Sequence, residues 1–100
     1  MTIASKISFQ PLSVRQLDEV LKIERVSFKT PWTKYAFIHE IQFERSVFKV
    51  IKMNGRIIGY GGFWHILDEA HISNIAIHPD FRGRGYGKML LLHLLEEATS

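Results

Sequence analysis

The chain has 100 residues, 46% of them hydrophobic and 12% aromatic, which excludes intrinsic disorder and allows one small domain. Thirteen Lys and Arg against ten Asp and Glu leave a net charge of +3, a balance that suits an anionic small ligand at least as well as nucleic acid. Without cysteine there is neither a disulfide framework nor a thiolate zinc site. His39, His65, His71, His78 and His93 are scattered without the close spacing of a metal pair, so no metal is expected. No apolar run approaches the roughly 18 residues of a membrane span. "MTIASKISFQ" lacks a long apolar leader, so the cytoplasm is the expected location.

No linker, repeat or low-complexity segment divides the chain. "KISFQPL" reads as a short first strand. Ser13 and Gln16 then form an S-x-x-Q capping box, with Leu12 and Leu17 placed as a hydrophobic staple. Val14, Leu17, Val20, Leu21 and Phe28 supply the buried stripe of the next helix. "KTPWT" breaks it. Thr30 is the expected cap of a second, short helix, with Pro31 in its first turn and Tyr35, Phe37, Ile38 and Ile41 along it. "SVFKVIKM", Asn54-Gly55 and "RIIGYGGFWHIL" make a β-hairpin signal of high specificity. Asp68 and Glu69 mark a second turn, and "AHISNIAI" alternates as a strand until His78-Pro79. Alternation predicts His71, Ser73, Ile75 and Ile77 on one face and Ile72, Asn74 and Ala76 on the other.

The last strand leads into "HPDFRGRGYGKMLLLHLLEEA". Gly83, Gly85 and Gly87 alternate ahead of Met89, Leu90, Leu92, Leu94 and Leu95, which recur at helical spacing. A helix that starts in a glycine loop presents unpaired N–H groups and the positive end of its dipole. That suits a phosphate or pyrophosphate, and Arg82, Arg84 and Lys88 carry the matching sign. The P-loop pattern fails, because Arg82 stands where it needs glycine and Met89 where it needs Ser or Thr. The dinucleotide fingerprint fails at Lys88, and its βαβ opening is missing. The pattern that matches is R-x-x-G-x-G, at Arg82, Gly85 and Gly87.

That pattern resembles the pyrophosphate loop of the GNAT acyltransferase superfamily. The whole of "NIAIHPDFRGRGYGKMLL" is similar to the family's fourth strand, loop and third helix. "ERVSFKTPWT" and "LDEAHISNIAI" are similar to one branch, the bacterial acetyltransferases that modify the N-terminal alanine of a small-subunit ribosomal protein. The resemblance implies an α/β (α+β) fold of order β-α-α-β-β-β-α, with a mixed, mostly antiparallel sheet and helices on its faces. It implies acetyl-CoA as co-substrate and a protein or peptide N-terminus as acceptor. Backbone N–H groups of Gly83, Arg84, Gly85, Tyr86, Gly87 and Lys88 would cradle the pyrophosphate, with Arg82 beside them. Ile75, Ala76 and Ile77 would run along the pantetheine arm. Phe28, Pro31 and Trp32 would shape the acceptor groove.

His71 falls where histone-acetylating relatives carry a catalytic glutamate, counting back from the loop. An imidazole titrates close enough to neutrality to accept a proton from an α-amino group. Glu69, in its turn, is expected to be solvated. The branch itself uses a glutamate on a fifth strand and a later tyrosine, both beyond residue 100. On this resemblance residues 1–100 form the N-terminal two-thirds of a single domain, inactive by itself, with a fourth-strand edge free for self-association. Two other functions fit the residues: a noncatalytic CoA-, phosphate- or RNA-binding module, and acetylation of a small-molecule amine. Arg82, Arg84 and Lys88 with Phe81 and Tyr86 form a basic-aromatic patch, but the other cations are dispersed too widely for a nucleic-acid face.

Overall fold

The computed structural model describes residues 6–100. Strand β1 (Ile7–Pro11) leads through a 3-10 turn, Val14–Gln16, into helix α1 (Leu17–Ser27). The backbone N–H of Ser13 donates to Gln16 Oε1 at 3.0 Å, as the capping motif predicts. Leu12 and Leu17 are both buried beneath this turn, whereas Val14 is half exposed. Val14 therefore leaves the expected stripe. It lies in the 3-10 turn, whose tighter winding takes it out of phase with the α-helix.

Helix α2 (Lys34–Gln42) begins later than the sequence suggests. Its cap is Thr33, whose hydroxyl accepts from the Ala36 N–H at 3.2 Å. Thr30, Pro31 and Trp32 stay in the connection, because Thr33 offers the same capping chemistry one residue before the helix. Strands β2 (Ser46–Met53), β3 (Arg56–Ile66) and β4 (Glu69–Ile77) come next. Asn54 and Gly55 both take positive φ, 52° and 84°, as a two-residue turn between right-twisted strands requires. The second turn is Leu67–Asp68, and Glu69 already belongs to β4. A 3-10 turn at Pro79–Phe81 and helix α3 (Tyr86–Thr99) complete the chain.

The four strands lie in the order β1-β2-β3-β4, each antiparallel to the next. Helices α1 and α2 cover one face, where Leu17, Val20, Leu21, Ile23 and Phe37 meet Phe48, Val50, Ile57, Tyr60 and Ala76. Helix α3 covers the other, laying Leu90 and Leu94 on Ile51, Ile58, Phe63 and Ile77. The expected order of elements and the helices on both faces are present, and all described strand pairs are antiparallel.

Two irregularities interrupt the pleat. In β3 the register shifts past Ile51, so Ile57 and Tyr60, three residues apart, share the α1/α2 face. In β4 the register shifts between the pairs Gly61–Ile75 and Phe63–Ile72, leaving Ser73 and Asn74 opposite Gly62. Strict alternation therefore fails there. Ile72 shares the α3 face with Ile75 and Ile77, while His71 pairs with Trp64 on the α1/α2 face, together with Asn74 and Ala76. The bulge carries His71 to the side opposite from the one its position predicts.

β3 and β4 also approach closely. A Cβ on Gly59 would lie 2.7 Å from the main-chain oxygen of Ala76 and 2.5 Å from Ile77 Cδ1. Gly59→Ala is expected to cost about 1–3 kcal/mol, the range for forcing extra volume into a packed core. A lowered urea midpoint with unchanged slope would show it.

Candidate functional site

The turn after β4 is built by side chains reaching back to its own main chain. His78 Nδ1 accepts from the Asp80 N–H at 3.0 Å, and the Phe81 N–H returns to the His78 carbonyl at 2.9 Å. Arg82 then ties the loop down. Its Nε donates to the Ile77 carbonyl at 2.8 Å and its terminal nitrogen to Ser27 Oγ at 2.9 Å, joining the ends of β4 and α1. The guanidinium expected to face an anion is thus engaged in fixing the loop, although its charge stays beside the site.

Beyond Arg82 the backbone turns left-handed twice, with φ of 76° at Gly83 and 87° at Gly85. A Cβ at either position would meet no protein atom within 4 Å outside its chain neighbours and the helix's own backbone. It is backbone conformation, not crowding, that requires glycine there. Gly85 is the N-cap of α3, and its carbonyl accepts the Met89 N–H at 3.1 Å. Among the described residues, none of the six main-chain N–H groups from Gly83 to Lys88 donates to a main-chain carbonyl. They stand at the positive end of a 14-residue helix. Arg84 and Arg56 lie over the Phe81 ring, 5.8 and 5.2 Å from its centroid, and add positive charge to the flank.

A groove of about 310 Å³ opens next to this loop, lined by Ser27, Phe28, Ile75, Ala76, Ile77 and Arg82. The structure therefore brings together five residues that the sequence assigns to two separate tasks, Phe28 to the acceptor side and the other four to the cofactor side. Pro31 and Trp32 lie farther along the same connection. The Trp32 ring packs on Phe37 and Phe48, with centroids 5.1 and 5.8 Å away. His71 is half exposed, with Nε2 2.9 Å from Glu69 Oε2. Glu69 is solvated, as expected, and also serves as the imidazole's partner.

One buried group escapes a reading of the sequence. Glu24 is 1% exposed in the core between α1 and the sheet. Its Oε2 accepts the Trp32 backbone N–H at 2.8 Å, and its Oε1 accepts the Tyr60 hydroxyl and, at 3.4 Å, the Asn74 amide. A charged residue in the α1 pattern reads as surface. Its position one turn behind Val20 and Leu21, on their stripe, is the available signal.

Burial, and then the hydrogen bond and the charge of Glu24, push the Tyr60 phenol far above its ordinary range. A free tyrosine ionises near pH 10. Below that pH the phenol is neutral in both states and its contribution is complete. At higher pH the unfolded chain releases a proton that the folded chain retains, so stability falls. The wild type is expected to lose up to about 1.4 kcal/mol per pH unit more than Tyr60→Phe above pH 10, measured by denaturant titration.

Residues 17–100 match the family described as "Acetyltransferase (GNAT) family". A Bacillus subtilis (strain 168) protein is 37% identical over 93 residues, covering 92% of this chain and 62% of that one. The [ribosomal protein bS18]-alanine N-acetyltransferase of Salmonella typhimurium is 36% identical over 86 residues, 86% of this chain and 57% of that protein. Among solved structures, the ribosomal-protein-S18-alanine N-acetyltransferase of Escherichia coli superposes with a TM-score of 0.83 at 30% identity, over 93% of this chain and 59% of that one. A PaiA N-acetyltransferase from Thermoplasma acidophilum in complex with coenzyme A shares the fold, with a TM-score of 0.83 at 16% identity, over 94% and 72% of the two chains. The chain thus spans 57% to 62% of the length of these two curated relatives.

Proposed function

Since the chain belongs to the acetyltransferase (GNAT) family, we propose that its protein transfers the acetyl group of acetyl-CoA to the N-terminal α-amine of a protein, an alanine of a ribosomal protein in the cytoplasm. The observation that carries this is the row of unpaired N–H groups from Gly83 to Lys88, set at the head of α3 beside the groove of Ile75, Ala76 and Ile77. Neutral donors fixed in advance on a helix end hold a pyrophosphate without crowding it. The resemblance of "ERVSFKTPWT" to one branch, and the names of the Salmonella and Escherichia relatives, support the ribosomal acceptor.

Acetyl-CoA supplies an activated thioester. The chain's own residues have three tasks: to hold the carrier, to orient the amine and to remove its proton. Gly83 to Lys88 hold the pyrophosphate, under the positive charge of Arg82 and Arg84. The edge of β4 at Ile75–Ile77, which no described strand pairs, offers strand-type donors and acceptors to the amide-bearing arm, and an N–H there polarises the thioester carbonyl. The loop of Phe28, Pro31 and Trp32 shapes the acceptor side, with Phe28 lining the groove and the Trp32 ring fixing the loop on Phe37 and Phe48. His71, beside Glu69, is the residue of this chain assigned to accept the ammonium proton.

Gly85→Glu places a carboxylate on the pyrophosphate site and forces a side chain into φ 87°. Calorimetry is expected to show CoA binding in the wild type and none in this variant; equal affinity would overturn the assignment. The full-length protein is expected to acetylate an alanine-starting peptide and to leave the same peptide untouched once its α-amine is blocked. Turnover on the blocked peptide would point to a lysine or small-molecule amine instead. His71→Ala is expected to lower kcat by about 10²-fold, the lower end for a general base; unchanged kcat would place the base on another residue. The β4 edge, on which Ile72 is exposed, also supports pairing with a second copy of residues 1–100. A sizing run that shows a monomer at every concentration would exclude it.

A further inference from the structure

The connection between α1 and α2 has little to hold it. Among the described residues, its main chain from Phe28 to Trp32 makes two hydrogen bonds to the rest of the protein, and both end on Glu24; Thr33 belongs to the cap of α2. The Phe28 N–H donates to the Glu24 carbonyl at 3.1 Å, and the Trp32 N–H donates to the Glu24 carboxylate at 2.8 Å. The Lys29 and Thr30 N–H groups meet no acceptor among those residues, and Pro31 has no N–H. One residue therefore closes the loop at its start by main chain and at its end by side chain. The same carboxylate also receives Asn74 from the β4 bulge and the hydroxyl of Tyr60.

We infer that Glu24 is a positioning residue for the acceptor: its buried carboxylate fastens the Phe28–Trp32 loop to the β4 bulge and so sets acceptor affinity without contributing to the binding of CoA. This rests on the proposed reading that the loop faces the acceptor. The division follows from geometry. Among the described residues, the Glu24 carboxylate hydrogen-bonds to neither the Gly83–Lys88 donors nor the Ile75–Ile77 strand, whereas each of its partners holds the loop or the bulge, or supports the carboxylate. Tyr60 and Asn74 are able to swing and exchange roles, since a hydroxyl and an amide each donate and accept. The Trp32 N–H is main chain and has no such freedom.

The decisive variant is Glu24→Met combined with Tyr60→Phe in the full-length protein. It keeps the core filled and leaves no orphaned phenol, and replacing a buried ionic group by well-packed apolar residues is often neutral or stabilising. Tyr60→Phe alone is the control, because it leaves the Trp32 bond in place. The double variant is expected to raise the acceptor KM about tenfold, the loss of one buried hydrogen bond, with kcat and CoA affinity within about twofold of wild type. Tyr60→Phe alone is expected to keep the wild-type KM. Glu24→Gln is expected to rescue, since its amide oxygen can still accept from Trp32. Hydrogen exchange gives a readout free of turnover: the Trp32 amide is expected to exchange faster in the double variant than in the control, with the Gly83–Lys88 segment unchanged.

An acceptor KM unaltered in the double variant would overturn the inference. So would a fall in CoA affinity by the same factor, or loss of kcat in Glu24→Gln. Should the double variant fail to fold, Glu24→Gln decides: a wild-type KM supports the clasp and a raised one refutes it. A wild type that neither binds CoA nor acetylates any peptide would refute the proposed function, and the exchange rate of the Trp32 amide would then decide the role of Glu24 by itself.

Discussion

A carboxylate withdrawn from water must be met by donors or it will not stay charged and buried. At Glu24 the donors come from three separate parts of the chain: the connection after α1, the middle of β3, and the bulge of β4. Satisfying one side chain therefore fixes the spacing between a helix, a loop and two strands. The apolar packing of Leu17, Val20, Ile23 and Phe37 on the sheet supplies most of the burial, yet it is tolerant of small shifts. Directional bonds to a buried ion are not. The α1/α2 face owes its register to that one group, and the groove at Ser27 and Phe28 begins a single turn farther along the same helix.

The connection between β4 and α3 is arranged on another principle. Around the loop before α3, side chains satisfy carbonyls and N–H groups up to Arg82 and then stop. Among the described residues, the main-chain donors from Gly83 to Lys88 have no carbonyl to meet, on a backbone tied at one end by Arg82 and at the other by the first turn of the helix. Arg82 is informative here. By engaging its guanidinium with Ile77 and Ser27 it anchors the start of the glycine segment to the ends of β4 and α1.

Much of this is legible in the residues, and the parts that are not share a physical reason. The Asn54-Gly55 hairpin, the Ser13–Gln16 cap and the glycine loop depend on local chemistry, in which a few adjacent side chains decide the backbone. Each is found where the sequence puts it. The family resemblance rests on the same loop, and the family match spans it. The cap of α2 is misplaced in sequence because Thr30 and Thr33 offer the same hydroxyl, and the choice between them is made by packing of Trp32 on Phe37 and Phe48. Alternation puts His71 on the wrong face because a bulge adds one residue to the count without leaving a mark in composition. The partners of Glu24 escape for a related reason, since they lie 8, 36 and 50 residues away; only its place on the Val20 and Leu21 stripe hints at burial.

The order of the sheet bears on how the chain reaches this arrangement. Each strand pairs with the next one in sequence, and β2, β3 and β4 are joined by turns of two residues. Closing such short loops costs little chain entropy, so these strands can zip together from their turns before any distant contact is made. The β1–β2 pairing has to wait, since α1 and α2 intervene. The topology therefore favours early pairing of the three-strand meander, which offers a surface to the helices. The Glu24 bonds need a helix, a loop and two strands to have met, so they are expected to form late.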